Sequence, residues 1–211
     1  MERLKTGKET QLLDNAVWIQ AEEGEQSPLF RGEFQLDFLP VSACIQICGL
    51  GFFELYLNDS KISEDVLVPA WTDYEPRSMR DMLYPIHDTF SHRSYYLEYD
   101  VCKQLCQGAN AIGIWLGNGW YRQDRRVIEG NFVYGCPKLI FALHMTGAHG
   151  ETLTVYSEPS MKWHPSEITA TNIYFGETHD LRRRMDGFSK PGFDDSAWKR
   201  RSEERRVGKE C

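Results

Sequence analysis

The feature that most constrains this chain is a hydrophobic period of two. In Phe52-Phe-Glu-Leu-Tyr-Leu57, the residues Phe53, Leu55 and Leu57 fall on one side and Phe52, Glu54 and Tyr56 on the other. A half-buried strand needs that alternation, and a helix cannot sustain it. The run stops at Asn58-Asp59-Ser60, whose short polar side chains favour turns, so a hairpin is predicted there with its return strand over Lys61 to Val68. Further strands are predicted at Ala43–Cys48, Ser94–Tyr99, Ala111–Leu116, Lys138–Met145 and Thr152–Tyr156. Several short strands at this spacing, bounded by Gly, Asn or Pro, imply an all-β chain folded as an antiparallel β-sandwich. Helix is scarce. Asp100 is placed to cap a turn or two over Val101–Cys106 that Gly108 ends, and Arg77 to Arg93, with Pro85 in its middle, reads as an inserted loop with a helical turn.

Composition narrows the functional classes. The 211 residues are 41% hydrophobic and include 6 Trp, 10 Tyr and 11 Phe, which excludes a disordered chain. The formal charge of −7, with acids and bases intermixed, sets nucleic acid aside as a partner, because phosphate backbones are gripped by clustered cations. No apolar run approaches the roughly 20 residues that span a bilayer, and the polar start Met1-Glu-Arg-Leu-Lys5 lacks the apolar core of a signal peptide. The expectation is a cytoplasmic protein without a membrane partner. Six cysteines, Cys44, Cys48, Cys102, Cys106, Cys136 and Cys211, form no C-x-x-C pair and read as free thiols, Cys44 and Cys48 being small apolar groups on one strand face.

Hydrolytic chemistry finds no support in the motifs. The six histidines include no H-E-x-x-H, and Glu22-Glu23, Glu64-Asp65 and Asp194-Asp195 are adjacent acids that a strand would turn to opposite sides. Gly49-Leu-Gly51 and Leu116-Gly-Asn-Gly119 read as turns rather than phosphate cradles. What stands out is aromatic and amide density in two loops that follow strands, Pro69-Ala-Trp-Thr-Asp-Tyr74 and Gly117-Asn-Gly-Trp-Tyr121. Sugars pair an apolar C–H face with a belt of hydroxyls, which a flat ring beside amide and carboxylate groups complements. Trp71, Asp73, Tyr74, Asn118, Trp120 and Tyr121 are therefore the candidate carbohydrate-binding residues. The competing expectation is that Trp71, Trp115 and Trp120 simply pack, with Trp115, in mid-strand, the first assigned to the core.

The same segments carry a resemblance. Ser27-Pro-Leu-Phe-Arg31, Gly49-Leu-Gly-Phe-Phe-Glu-Leu-Tyr-Leu-Asn58, Val68-Pro-Ala-Trp-Thr-Asp-Tyr74, Tyr99-Asp-Val101, Gly108-Ala-Asn-Ala-Ile-Gly113 and Leu116-Gly-Asn-Gly-Trp-Tyr121 occur in the order found in the N-terminal β-sandwich region of bacterial α-L-rhamnosidases of glycoside hydrolase family 78. From about Pro28 to Trp198 the chain resembles that region, which implies a jelly-roll, galactose-binding-like sandwich. Asp59, where the family usually has glycine, and Cys102, where it has threonine, are departures that leave the fold intact. The chain is read as three segments: a lead-in with a first strand (1–27), the sandwich region that carries the resemblance (28–199) and a tail (200–211) whose dense charge and near absence of apolar residues predict disorder. Within that tail, Arg201–Cys211 is similar to a translated sequencing adapter.

It implies as partners a rhamnose-containing carbohydrate and a C-terminal (α/α)6 catalytic domain that this chain lacks. In the family, terminal α-L-rhamnose is hydrolysed with inversion by a carboxylic acid and a carboxylate. No residue here is assigned as catalytic, and the chain alone is expected to be an inactive accessory region that binds or positions rhamnosides, or a purely structural sandwich packed on the barrel. Some related modules hold rhamnose through calcium, which implies Asn58, Asp59 and Asn118 as metal ligands, with Asn58 joining the carbohydrate set. Cut from the barrel, such a domain is expected to expose an apolar face and to associate.

Overall fold

The computed structural model describes residues 10–72, 74, 94–123 and 132–200; Asp73, the Arg77 to Arg93 segment and the tail from Arg201 lie outside the described residues. In chain order the strands are β1 (Ile19–Gln20), β2 (Pro28–Leu36), β3 (Pro40–Leu50), β4 (Phe53–Leu57), β5 (Ser60–Lys61), β6 (Leu97–Asp100), β7 (Gly108–Leu116), β8 (Arg122–Gln123), β9 (Phe132–Val133), β10 (Lys138–Gly147), β11 (Thr152–Tyr156), β12 (Lys162–Pro165), β13 (Ile168–Asn172), β14 (Gly176–His179) and β15 (Lys199–Arg200). All their pairings are antiparallel. One sheet runs β1-β10-β3-β6, with β11 also on β10; the second runs β15-β12-β2-β7-β4-β5; β13-β14 and β8-β9 stand apart as hairpins. This is the sandwich that the period-two pattern predicts. No helix among the described residues is long and apolar enough to cross a membrane.

The alternation also says which side chains meet. β4 turns Phe53, Leu55 and Leu57 inward, β7 contributes Ile112, Ile114 and Leu116, and both face Ile45 and Ile47 of β3 and Leu139, Phe141, Leu143 and Met145 of β10 in one buried cluster. Each such side chain removed from water stabilises the fold by about 1.5–3 kcal/mol.

Three expectations need correction. The return strand over Lys61 to Val68 is only the two-residue β5, because Ser63-Glu-Asp65 offers no alternating apolar face and Leu67 is held at φ 57. The helical turns expected after Asp100 shrink to a single 3-10 turn, Cys102–Gln104, although the Asp100 carboxylate does accept the Cys102 N–H at 3.0 Å. Trp115 lies outside the core between the sheets, since its neighbours Ile114 and Leu116 occupy it. Cys44, Cys48, Cys102, Cys106 and Cys136 are free thiols, as expected. Cys48 is buried, its thiol pushed up to about 12 by that burial, while Cys44 on the same face is half-buried.

The outer face of the six-stranded sheet is half covered. Residues 181–200 cross it as a strap, packing Phe188 and Trp198 onto Leu29 beside Tyr56, Trp115, Met185 and Phe193. Arg31 of β2, 2% exposed, fastens this strap: Nε donates to the Phe188 carbonyl at 2.9 Å and Nη2 to the Lys190 carbonyl at 3.0 Å, while the guanidinium also pairs with Asp195 and Glu33. Lys162 Nζ reaches Asp195 Oδ1 at 2.6 Å. Burial works against the Asp195 carboxylate, but hydrogen bonds from Lys162 and Arg31 outweigh it and hold the carboxyl below its ordinary range. Gly113, opposite Arg31 in the ladder, makes the approach possible, because a Cβ there would lie 2.5 Å from Ser189 Cβ and 2.7 Å from the Phe188 ring.

Candidate functional site

Beyond the strap, the same outer face opens into a cleft of about 520 Å³. Register builds its floor. Trp115 of β7 sits between Leu29 of β2 and Glu54 of β4, so ring and carboxylate share one row on that side of the sheet. The hairpin of β13 and β14 forms one wall, Asp65, Val66 and Leu67 a lip, and Asn118 and Gly119 the end. Two glycine turns close that end backbone against backbone. The Gly117 N–H donates to the Phe52 carbonyl at 2.7 Å, and a Cβ on Gly119 would lie 2.6 Å from the Phe52 nitrogen. Trp115 is fixed by its indole N–H, which donates to Ser27 Oγ at 2.8 Å, while that hydroxyl donates to the Leu116 carbonyl at 3.1 Å.

Several polar groups in the cleft already have partners, whereas the buried Asn118 Oδ1 has none. Burial opposes the charged form of Glu54, but hydrogen bonds from Lys61 (2.6 Å) and Tyr56 (2.5 Å) outweigh it and keep its carboxyl below the usual carboxylate value. A general acid requires the opposite shift. Glu177 holds His179 Nε2 at 3.0 Å, and Asp65 accepts from the Tyr99 hydroxyl at 3.2 Å. Such a site can accept hydrogen bonds from a neutral, hydroxyl-bearing ligand lying on an indole, and Glu54 is set against protonating a leaving group.

Comparison with known proteins decides the family. A family model described as "Alpha-L-rhamnosidase N-terminal domain" matches residues 40–209. The chain belongs to this family. It is 30% identical over 181 residues to an α-L-rhamnosidase of Formosa agariphila, a match that covers 83% of this chain and 17% of that protein. Among solved structures, the native α-L-rhamnosidase of Aspergillus terreus superposes with a TM-score of 0.74 at 30% identity, covering 90% of this chain and 21% of that one. The Streptomyces avermitilis α-L-rhamnosidase complexed with L-rhamnose gives 0.72 at 30%, over 85% and 16%. The chain thus spans about a sixth of the length of its curated relatives.

Within this rhamnosidase domain, the residues singled out from the sequence separate into two groups. Trp71 and Trp120 come together, ring centroids 5.9 Å apart, and Trp120 meets Tyr174 of the β13–β14 turn edge-on at 6.3 Å. Trp71, 52% exposed, is a ledge beside the cleft. Tyr74 and Tyr121 also meet, at 5.1 Å, but Tyr121 is buried, and burial, helped by the negative potential of Cys48 and Tyr134, pushes the Tyr74 hydroxyl up to about 12. Asn118 borders the cleft as a strut, its amide donating to Gln26 Oε1 at 2.9 Å and to the Thr171 carbonyl at 3.2 Å.

Asn58 and Asp59 lie elsewhere. They form the left-handed β4–β5 turn, with φ of 49° and 67°, and every polar group of the Asn58 side chain is used: Oδ1 accepts the Ala111 N–H, and Nδ2 donates to the Gln104 carbonyl and Asn110 Oδ1, all at 2.8 Å. Asp59 pairs with Lys190 at 3.1 Å. Asn58 adjoins Ala111 and Asn118 follows Leu116 at the other end of β7, on the order of 20 Å away at ~3.3 Å per residue. Asn58, Asp59 and Asn118 therefore do not converge on one calcium ion, and no group of three His, Cys, Asp or Glu side chains among the described residues is placed to hold a metal. Of the cleft residues, only Asn118 is in the sequence-based set; those it lacks include Ser27, Glu54, Trp115, Glu177 and His179. For Trp115 the signal was present: with Ile112, Ile114 and Leu116 inward, Trp115 must point out.

Proposed function

We propose that this chain is an accessory domain of an α-L-rhamnosidase, binding or positioning rhamnose-containing carbohydrate for a catalytic domain outside it. The observation that carries the reading is the open cleft floored by Trp115 and lined by hydrogen-bond acceptors, with Trp120 of the Trp71–Trp120 pair next in sequence to Gly119 of its lining. An indole face offers area to the apolar side of a sugar ring, and acceptors at the rim orient its hydroxyls. The inverting acid and base implied by the family belong, in this reading, to the catalytic domain, and the chain alone turns over no aryl rhamnoside.

A second reading has its own observation. Val66 is 73% and Leu67 69% exposed on the lip, with Phe175, also exposed, on the hairpin turn, and an apolar rim of this kind suits packing against a further domain. Titration with methyl α-L-rhamnoside, followed by NMR at the Trp115 indole and the hairpin amides and run with and without calcium, separates the two. Saturable shifts at those groups are expected. Their absence up to several millimolar overturns the sugar-binding reading and leaves the packing one.

A further inference from the structure

The hairpin that walls the cleft belongs to neither sheet, and a lone two-stranded ribbon is marginally stable in water. Two of its ties to the body are the Asn118 amide on the Thr171 carbonyl and the Ile173 N–H on Gln123 Oε1, at 3.2 Å each. At its base the His179 ring lies between two carboxylates, Nδ1 3.3 Å from Glu167 Oε1 and Nε2 3.0 Å from Glu177 Oε2. The backbone closes at the same point, the Asp180 N–H donating to the Glu167 carbonyl at 2.8 Å.

An imidazole donates from both nitrogens only when it carries two protons; the neutral ring turns a lone pair toward one of the carboxylates. The remaining charges around it are engaged. Asp180 is bound by Arg182 and Arg183, Arg184 pairs with Asp186 and acts on Glu167 electrostatically, and across the cleft Glu54 is held by Lys61. The two carboxylates accordingly raise the ring's affinity for its second proton.

We infer that His179 is a proton-operated latch: bracketed by Glu167 and Glu177 it clamps β14 to the entry of β13 and holds the cleft wall closed, and on deprotonation it lets the wall loosen. This rests on the cleft being the ligand site. The stabilisation is complete below the ordinary histidine value, about 6.5, and is lost as pH rises through the higher value of the folded chain.

Hydrogen exchange of the Asp180 amide, which donates to the Glu167 carbonyl at the latch, corrected for intrinsic chemical rates and referenced to β7, tests it on the whole chain without sugar. Between about pH 5.5 and pH 8.5, protection is expected to fall about two- to fivefold, the range set by exposed ion pairs. His179→Gln and Glu167→Gln should each lie at the high-pH level throughout. A wild-type hairpin indifferent to pH, or a response unchanged in His179→Gln, overturns the latch. A hairpin that responds beside a cleft that takes no methyl α-L-rhamnoside counts against the carbohydrate reading alone.

Discussion

The two halves of one sheet face are finished differently. Over the Arg31–Gly113–Tyr56 row, the strap of residues 181–200 seals the sheet with Phe188 and Trp198 and a fully buried guanidinium. Along the Leu29–Trp115–Glu54 row Leu29 is still sealed by the strap, and the sheet opens only over Trp115 and Glu54, bounded by a hairpin whose β14 residues are all exposed and whose ion pairs are half in water. The same ladder of strands thus supports one surface that must stay shut and one that can move. Desolvation accounts for the contrast. A charge that has lost water depends on its partners, whereas an exposed pair can exchange them for solvent at small cost.

The largest expected effect comes from breaking the sealed half. Arg31→Met keeps apolar volume but leaves the Phe188 and Lys190 carbonyls without their donor and Asp195 with Lys162 alone. Losing one partner of a buried ion pair costs about 3–5 kcal/mol. The exposure of Asp195 and Glu33 places this variant at the lower end, near 3 kcal/mol. Urea unfolding should show that loss, and limited proteolysis should cut the strap first. A midpoint within experimental error of the parent would show that Phe188 and Trp198 hold the strap without the charge.

Gly113→Ala strikes the same half by crowding. Its Cβ would meet Ser189 Cβ at 2.5 Å and the Phe188 ring at 2.7 Å, so the strap must lift. Overpacking of this kind costs about 1–3 kcal/mol. The change should destabilise the chain and shift the Trp115 indole signal, because Trp115 packs on the same cluster, while leaving the β13–β14 hairpin amides in place; shifts at the hairpin as well would mean that the two halves are coupled.

Legibility in the sequence follows the same division. Strands buried on a regular face announce themselves: β4, β7, β10 and β11 lie where alternation put them, to within a few residues. The family region was legible from six ordered motifs. The open half was not, because its parts come from Ser27, Glu54, Trp115 and residues 168–179, which only pairing register brings together. Asn58 shows the opposite hazard. Its turn chemistry was plain, yet its side chain is consumed by Ala111, Gln104 and Asn110, and no property of the tripeptide distinguishes a clamp from a ligand. Position in mid-strand assigns Trp115 to the core, whereas parity with the inward Ile114 turns it outward, where it lies.

The smallest of the strap effects separates the halves by pH. Asp195 is held below its ordinary value by Lys162 and Arg31, which prevail over its burial, so its contribution is fully present above the unfolded carboxyl value, about 3.9, and is lost as pH falls through the lower value of the folded chain. Acid should therefore release the strap, seen as loss of protection at the Trp198 amide, which donates to the Asp195 carbonyl at 3.0 Å. The hairpin should respond at the opposite end of the scale, with His179 stabilising it in acid and releasing it in alkali. Two transitions of opposite sense, one on each half of a single sheet face, are the expected record. In Arg31→Met the acid transition should shrink while the alkaline one stays. If both halves opened together at either extreme, the face would be one cooperative unit and Trp115, which touches both, would be its hinge.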